Sequence, residues 1–414
     1  MTNVMTLIKN PYTIGSPIFK PEDLFGRDKI LSFIQQQLTS GAKAILLHGQ
    51  RRIGMTSLMN YIAEDINLDE FVFVRLSLED KHHKSLDKIL YDLARNITDE
   101  LGISRNRITI PSQEDLKAEP QDFFDIFLLQ VYQELKRKNL VLLIDEFDML
   151  WDNSCTEINP FVYFLISIIN LQEKLFTILF VGRQGSSLEF IQGLFREVGE
   201  LPCKELGLLD KSDTIKLITE IPREVTNYQY DPDAIEAIWE LSCGHPYYTQ
   251  LLCFCLFQQA RNQDKWNVTY QDVKGVIDRS FEQGEPAFVS PLEVLSTLEK
   301  IILSAVAEAQ KIATNSFESN IISPFLILEM YGAKFTENLI EEVIIGATHL
   351  VNLGFLEQIG VQKFQKIRVP TYRVKIELFR LWLLKQYPLE AQRNTIKVMF
   401  PKKPWFQGIL DMTL

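Results

Sequence analysis

The chain has 414 residues, 46% hydrophobic and 23% charged, which is the composition of a globular protein with room for two or three domains. Its net charge of -11 at pH 7 argues against a general nucleic-acid binder, because such proteins usually present a basic surface. The sequence has neither the apolar segment of a signal peptide nor an apolar run near the ~20 residues of a membrane span. We therefore expect a cytoplasmic protein without a membrane segment.

Short apolar runs alternate with helical patterns between residues 20 and 205. The runs are rich in Val, Ile, Leu and Phe, which suits strands that are buried on both faces of a parallel sheet. Strands that alternate with helices predict an α/β core. The predicted strands are residues 44–47, 71–76, 140–144 and 177–181.

The segment between the first predicted strand and the next helix has the pattern of a phosphate-binding loop. Its glycines permit a tight turn, so that successive main-chain N–H groups point inward and bind phosphate together with the helix N-terminus. Thr56 is then placed to offer its hydroxyl to Mg²⁺. This is the context of a Walker A loop. The predicted nucleotide-binding residues of the loop are Gly49, Gln50, Arg51, Arg52, Ile53, Gly54, Met55, Thr56 and Ser57.

One position of this loop departs from the usual G-x-x-x-x-G-K-[ST] pattern. Met55 stands where a lysine normally contacts the β- and γ-phosphates. A charge-assisted hydrogen bond contributes about 1.5–3 kcal/mol, so its loss is expected to lower nucleotide affinity about tenfold to a hundredfold. Phosphoryl transfer is expected to lose more, because charge builds up in the transition state. Arg51 or Arg52 is an alternative source of the cation, although the loop backbone normally turns such side chains elsewhere.

Two acids follow the third predicted strand directly. Asp145 is expected to hold Mg²⁺ through water, at the edge where open α/β sheets bind ligands. Glu146 is expected to orient or deprotonate the attacking water. Asp148 has two interpretations, a third acid of this site or a helix cap. Arg183, which follows the fourth predicted strand, is a candidate sensor of the γ-phosphate or an ordinary surface arginine.

The pattern becomes helical from residue 206 onward. Asp210 and Asp231 are predicted N-caps, and Pro246 suits a helix start. From residue 290, three predicted helices precede a predicted β-hairpin, which is the winged-helix order. The predicted helices are residues 210–219, 232–242, 246–263, 270–282, 292–309, 324–330 and 339–353, and the hairpin strands are residues 355–359 and 367–376.

Several motifs together resemble the AAA-like branch of the STAND-type P-loop ATPases, close to the archaeal and prokaryotic ATPase group. The resemblance implies an AAA+-like nucleotide-binding core at residues 1–205, a helical lid at 206–285 and a winged helix at 286–390, with a tail at 391–414. The matching motifs are Phe25-Gly26-Arg27-Asp28 (with Asp28 in place of glutamate), GQRRIGMTSL from Gly49, LLIDEFD from Leu142, Glu205-Leu206-Gly207-Leu208-Leu209, Gly244-His245-Pro246-Tyr247 and the segment from Tyr372 to Trp382.

This resemblance also implies ligands and a mode of action. ATP or ADP with Mg²⁺ is expected at a domain junction, where the nucleotide governs an open or closed arrangement. Gly26 and Arg27 are implied to lie beside the adenine, and Pro246 is implied to pack near the base. The lysine missing at Met55 puts turnover in question.

Three functions are consistent with these observations. The first is a nucleotide-dependent switch or scaffold for protein partners, which fits the acidic charge, the lid and the missing lysine. The second is a working ATPase, in the form of a homo-oligomer that remodels a partner, since Asp145 and Glu146 supply the catalytic acids.

The third is a DNA-binding regulator that uses the predicted winged helix. Its third helix begins with Glu341 and Glu342 and has no Lys or Arg through Leu353, so it would present acids to phosphates, which disfavours DNA. Residues 361–414 nevertheless contain 11 Lys or Arg against 3 Asp or Glu. The cations predicted to line the hairpin are Lys363, Lys366, Arg368, Arg373 and Lys375.

Overall fold

The chain forms two compact units in a computed structural model that describes residues 9–66, 68–78, 84–104, 106–150, 158–182, 186–225, 227–315 and 323–401. The sheet unit is Gly15–Asp213, and the helical unit contains the described residues before Gly15 and after Asp213. The chain therefore passes between the units twice, after Ile14 and after Asp213. Every helix in the described ranges is too short or too polar to traverse a bilayer. The finer division into lid, winged helix and tail stays a prediction.

One parallel sheet forms the centre of the sheet unit. Its strands are β1 (Ala44–Gly49), β2 (Phe71–Ser77), β3 (Asn139–Asp145), β4 (Leu175–Val181) and β5 (Cys203–Leu206). Within the described residues their order in the sheet is β2-β3-β4-β1-β5. All four predicted strands are confirmed. The edge strand β5 was not predicted, because its exposed Lys204 and Glu205 leave no continuous apolar run.

Helices cover both faces of this sheet, so successive strand residues belong to two different hydrophobic cores. Ile45 and Leu47 pack with α1 and α2, which are Asp28–Thr39 and Met55–Asp65. Ala44 and Leu46 point to the opposite face, where α3 (Leu86–Glu100) and α6 (Pro160–Leu171) pack among other segments. The predicted α/β core is thus confirmed. The remaining helices of this unit are α3 (Leu86–Glu100), α4 (Gln113–Ala118), α5 (Leu129–Glu134), α6 (Pro160–Leu171) and α7 (Ser186–Leu194), with short 3-10 or π segments at Pro21–Asp23, Phe123–Leu128, Phe147–Leu150 and Phe195–Val198.

The helical unit combines helices with two small pairs of strands. Strands β6 (Gln229–Tyr230) and β7 (Asn267–Val268) pair in parallel, and β8 (Leu356–Phe364) pairs antiparallel with β9 (Ile367–Val374). The helices are α8 (Lys211–Glu220), which begins before the second passage, α9 (Pro232–Ser242), α10 (Pro246–Gln263), α11 (Tyr270–Gly275), α12 (Ile277–Gln283), α13 (Glu285–Glu293), α14 (Thr297–Asn315), α15 (Pro324–Met330), α16 (Glu337–Asn352), α17 (Glu377–Gln386) and α18 (Arg393–Met399), with a 3-10 turn at Leu389–Gln392.

Most of the predicted helices are confirmed, and two predictions are corrected. The helix predicted at residues 270–282 is divided into α11 and α12 at Val276. The helix predicted at 292–309 begins later, at Thr297, because Ser296 directly before it accepts from the Glu299 N–H and donates its own N–H to the Glu299 carboxylate, as in a capping box. The predicted order of three helices and a hairpin is present in α14, α15, α16, β8 and β9.

The two predicted N-caps have different outcomes. The Asp210 carboxylate accepts a hydrogen bond from the Asp213 N–H at 2.9 Å, which confirms the first cap. Asp231 also occupies the N-cap position of α9, as predicted, but its side chain makes no capping hydrogen bond and accepts from the Asn267 side-chain amide at 3.1 Å. This hydrogen bond ties the start of α9 to β7.

The N-terminal segment belongs to the helical unit through side-chain hydrogen bonds. The Asn10 amide donates to the carbonyl of Phe254, and the Thr13 N–H donates to the Gln250 side chain, both at 3.0 Å. The buried Tyr12 hydroxyl lies 2.9 Å from the hydroxyl of Tyr230. The first described residues are thus fixed on α10 and β6 before the chain enters the sheet unit.

Candidate functional site

The loop after β1 is a close-packed turn with glycine at its two critical positions. A Cβ on Gly49 would lie 2.7 Å from the carbonyl oxygen of Leu206 and 3.0 Å from Cγ2 of Ile53. Gly54 has φ of 101° directly before α2, a conformation that favours glycine. Its carbonyl accepts from the Leu58 N–H at 3.0 Å, which starts the helix. The predicted course from strand through loop to helix is confirmed.

The carboxyl end of β3 brings an acid to this loop. Thr56 donates from its hydroxyl to the Asp145 carboxylate at 2.9 Å, although the two residues are 89 positions apart in the sequence. The second Asp145 oxygen accepts from the Glu146 N–H at 3.0 Å. Asp145 is buried, and Glu146 has a left-handed backbone with φ of 56°. The structure therefore joins the two predicted Mg²⁺ ligands, while their role as ligands stays a prediction.

Met55 gives the interior of the loop an apolar side chain. It is half-buried and packs against the core that α1 and α2 share with the sheet. Its methyl carbon lies 3.1 Å from the position that a Cβ on Gly49 would occupy. The side chain at the usual lysine position thus lies back across the loop. The neighbouring Arg51 and Arg52 are exposed, and their predicted role as a replacement cation stays a prediction.

A buried arginine lies directly against the loop. Arg27 donates from Nη2 to the carbonyl of Ile53 and from Nη1 to the carbonyl of Gly207, both at 2.8 Å. Only 5% of its surface is exposed. Burial lowers the pKa of the guanidinium to about 10, against the opposing effect of the nearby Asp213 carboxylate. Sequence reasoning selected Arg27 for a place beside the adenine, and that role stays a prediction.

The residue before Arg27 is equally constrained. Gly26 has φ of 67°, and a Cβ there would lie 2.7 Å from the carboxylate of Asp213 and 2.9 Å from Cδ2 of Leu209. Glycine is therefore required both by the backbone conformation and by the space. The turn at Gly26 and Arg27 lies between the phosphate loop and the segment that leaves β5.

Three other sequence predictions have different outcomes. Ser57 is buried and accepts a hydrogen bond from the Ile18 N–H at 3.0 Å. Pro246 occupies the first turn of α10 in the helical unit, as predicted for a helix start, and its contact with a base stays a prediction. Arg183, the predicted sensor, lies outside the described residues.

Two further polar residues lie at this sheet edge. Asp148 is buried in a 3-10 turn and accepts from the Gly182 N–H at 3.2 Å, so it links the ends of β3 and β4. His48 precedes the loop on β1, in register with Val181 of β4 and Glu205 of β5. Burial lowers the pKa of its imidazole, while Glu205 acts in the opposite direction. In the sequence, only the position of His48 at a strand end beside the loop indicated that it lies near this site.

Comparison with known proteins identifies the family. The sequence profile of an ATPase domain predominantly from Archaea matches residues 24–252, more than half of the chain. The chain belongs to this family. No curated protein matches it with significant similarity. Membership of this ATPase family agrees with the resemblance to AAA+-like P-loop ATPases, while the STAND assignment stays a prediction.

Solved structures place this member of the archaeal ATPase family in a known fold. A Walker-type ATPase of Pyrococcus abyssi is similar with a TM-score of 0.58 and 17% identity, over 89% of this chain and 98% of that one. The ORC1 protein of Aeropyrum pernix in complex with DNA follows with a TM-score of 0.45 and 12% identity, over 90% and 95% of the two chains. Cdc6p of Pyrobaculum aerophilum has a TM-score of 0.43 and 13% identity, over 93% and 97%. The first likeness shows a shared fold, and the two lower scores carry no further conclusion.

Proposed function

We propose that this ATPase-family protein binds ATP or ADP with Mg²⁺ at the loop 49–57 and acts as a nucleotide-dependent conformational switch or scaffold for protein partners. The observation that carries the proposal is the contact between Thr56 and Asp145, which joins the loop to the acidic end of β3. The apolar Met55 in the same loop supports binding with impaired hydrolysis rather than efficient turnover.

The residues present fit a phosphate chain and a divalent cation. The left-handed turn at Gly54 and the start of α2 direct main-chain N–H groups toward an anion, and the Thr56 hydroxyl with the Asp145 carboxylate offers hard oxygen ligands. In this arrangement Mg²⁺ would neutralise phosphate charge. Glu146 would orient water, and Arg183 would contact the γ-phosphate. By resemblance, Gly26, Arg27 and Pro246 would contact the base.

A switch needs different affinities for two conformations and needs no hydrolysis. A ligand that binds one conformation tenfold more tightly shifts the equilibrium by about 1.4 kcal/mol. The missing lysine lowers the rate of phosphoryl transfer more than it lowers binding, because the charge that it would stabilise develops in the transition state. Such a protein would stay in its nucleotide-bound state for long periods. The net charge of -11 favours protein partners over a general nucleic-acid surface.

Thermal unfolding with and without nucleotide tests this function. Millimolar Mg-ADP or Mg-ATP should raise the melting temperature, since ligand at about 100 times its dissociation constant stabilises by about 2.7 kcal/mol. Asp145→Asn should lose most of the Mg²⁺-dependent part of this shift, whereas Asp125→Asn, an exposed substitution in the same unit, should retain it. The absence of any shift for the unaltered protein, together with no heat of binding in calorimetry, would refute the proposal.

DNA binding is a second candidate, favoured by the charge at the tip of the β8–β9 hairpin. Lys363 lies opposite Arg368 in the strand register, Lys366 lies in the connecting turn, and all three side chains are exposed. If they contact phosphates, reversing all three to glutamate should strongly weaken binding in a gel shift and reduce its salt dependence by about three released counterions. Reversal of another exposed basic run, Lys136, Arg137 and Lys138, serves as the control. Equal DNA binding by both variants would exclude the hairpin as the interface.

A further inference from the structure

Each passage of the chain between the two units lies close to a group that holds the phosphate loop. After the first passage at Ile14, the Ile18 N–H donates to the Ser57 hydroxyl on the first turn of α2, at 3.0 Å. Before the second passage at Asp213, the carbonyl of Gly207 accepts from Arg27. Both connecting segments are therefore anchored within the sheet unit to the loop or to the helix that the loop begins.

The Arg27 guanidinium makes the second anchor a direct bridge. One of its terminal nitrogens binds the carbonyl of Ile53 in the loop, and the other binds the carbonyl of Gly207. The guanidinium is planar with its donors in a fixed fork, so a displacement of one carbonyl is transmitted to the other. Burial makes both hydrogen bonds strong, because water does not compete for the donors.

Close packing at Gly49 and Gly26, on either side of the Arg27 bridge, also restricts the movement of the segment that leaves β5. Gly49 at the start of the loop pairs with Leu206 of β5, whose carbonyl leaves no room for a Cβ on Gly49, and Gly26 fits against Leu209 and Asp213 with no room for a Cβ. The segment that leaves β5 is therefore held against the loop or the Gly26 turn at several positions. Asp213 is also the carboxylate that acts electrostatically on Arg27.

We propose that Arg27 and Ser57 are positioning residues that transmit the occupancy of the phosphate loop to the two connecting segments, residues 15–18 and 207–213. The proposal rests on the proposed nucleotide binding. A bound polyphosphate fixes the loop peptides with their N–H groups toward the anion, and the orientation of the Ile53 carbonyl is fixed with them. Arg27 then holds Gly207 in the matching position, and Ser57 holds Ile18.

Hydrogen exchange on the full chain tests this transmission. Each variant is measured without nucleotide and with Mg-ADP well above its own dissociation constant. In the unaltered protein, nucleotide should slow exchange about fivefold or more in the loop and also in residues 207–213. In Arg27→Gln the loop should stay protected, while exchange in 207–213 should fall within about twofold of the nucleotide-free rate. Arg107→Gln, which removes an exposed arginine of the same unit, should behave as the unaltered protein.

A conservative variant and the second anchor extend the test. Arg27→Lys keeps the charge but reaches only one carbonyl well, so it should give partial protection of 207–213 and remains usable if Arg27→Gln does not fold. Ser57→Ala should remove the nucleotide effect on residues 15–18 and leave the effect on 207–213 intact. Undiminished protection of 207–213 in both Arg27 variants would overturn the proposal.

The outcome separates this inference from the function on which it rests. If nucleotide protects neither the loop nor any other segment of the unaltered protein, nucleotide binding is refuted. The Arg27 bridge is then tested by hydrogen exchange of the nucleotide-free proteins. Compared with the unaltered protein, Arg27→Gln should exchange faster both in the loop and in residues 207–213. Faster exchange in only one of the two segments would show that Arg27 has a local role alone.

Discussion

The phosphate loop and the β8–β9 hairpin both carry residues that suggest ligands, but they are held in different ways. At the loop, the carboxyl ends of parallel strands meet, so Thr56 and Asp145 are brought together by the sheet itself and are joined by a part-buried hydrogen bond. At the hairpin tip, Lys363 and Arg368 are exposed and are placed by strand register alone. The hydrogen bond at the loop fixes the relative positions of its two side chains, whereas the exposed charges of the hairpin contribute only an electrostatic potential.

The largest effect should come from filling the space at Gly49. In Gly49→Ala the new Cβ would lie 2.7 Å from a backbone carbonyl that strand pairing holds in place, so β1 and β5 must separate locally. We expect a loss of about 1–3 kcal/mol in the free energy of unfolding. The displaced loop should also bind nucleotide about a hundredfold more weakly, by analogy with the cost of misplacing a site by about 1 Å.

Urea unfolding and calorimetric titration measure both quantities. Gly182→Ala is the matched control, since it follows the adjacent strand β4 and no described atom lies within 4 Å of its added Cβ. If Gly49→Ala were as stable and bound nucleotide as well as this control, the close packing of the loop would not define the site.

Restoring the cation in the loop should give the next largest effect, in the opposite direction. In Met55→Lys the side chain would direct an ammonium group into the interior that the methionine now fills, and nucleotide affinity should rise about tenfold to a hundredfold. Phosphate release should increase by a larger factor, because the ammonium stabilises charge in the transition state. The double variant Met55→Lys, Glu146→Gln should bind nucleotide tightly and release little phosphate.

The same pair of variants decides between a switch and a working ATPase. Equal phosphate release by the unaltered protein and by Met55→Lys, abolished in each by Glu146→Gln, would show that turnover does not depend on the missing lysine. The proposal of impaired hydrolysis would then be replaced by the alternative of an active ATPase.

The sequence predicted the sheet well because its strands are continuous apolar runs, and it predicted the loop because glycine spacing encodes a backbone shape. It could not reveal that Arg27 bonds Ile53 and Gly207, since contacts with carbonyls leave no pattern of residue types. The hydrogen bond from the Gly182 N–H to Asp148 could not be predicted for the same reason. Strand β5 was not predicted because its exposed Lys204 and Glu205 interrupt the run of apolar residues by which the other strands were recognised.

In the helical unit, a buried acid offers a smaller effect and a dependence on pH. Burial disfavours the charged Glu299, but hydrogen bonds with His349 at 2.5 Å and with Ser296 outweigh this effect and lower the pKa of the carboxyl. Glu299→Gln should therefore cost about 1–2 kcal/mol of unfolding free energy near pH 7. A native pKa below the unfolded one means that this stability is present above about pH 4.5 and is lost as pH falls through the native pKa.

Unfolding in urea across pH 3–7 checks this sign. The difference between the unaltered protein and Glu299→Gln should shrink toward zero at the acidic end. A difference that stayed constant with pH would mean that the glutamate acts through packing and not through its charge.

The smallest effect should come from an exposed pair on the hairpin, which sharpens the contrast with the buried contacts. Arg373 binds the carboxylate of Glu357 across the two strands at 2.8 Å, but about half of each side chain is exposed, at 54% and 45%. Arg373→Met keeps most of the apolar stem and removes the charge, so we expect a loss of no more than about 0.5 kcal/mol. The loss should disappear in 1 M salt, where the screening length falls to about 3 Å. A larger, salt-independent loss would show that the hairpin is held by specific contacts comparable to those of the phosphate loop.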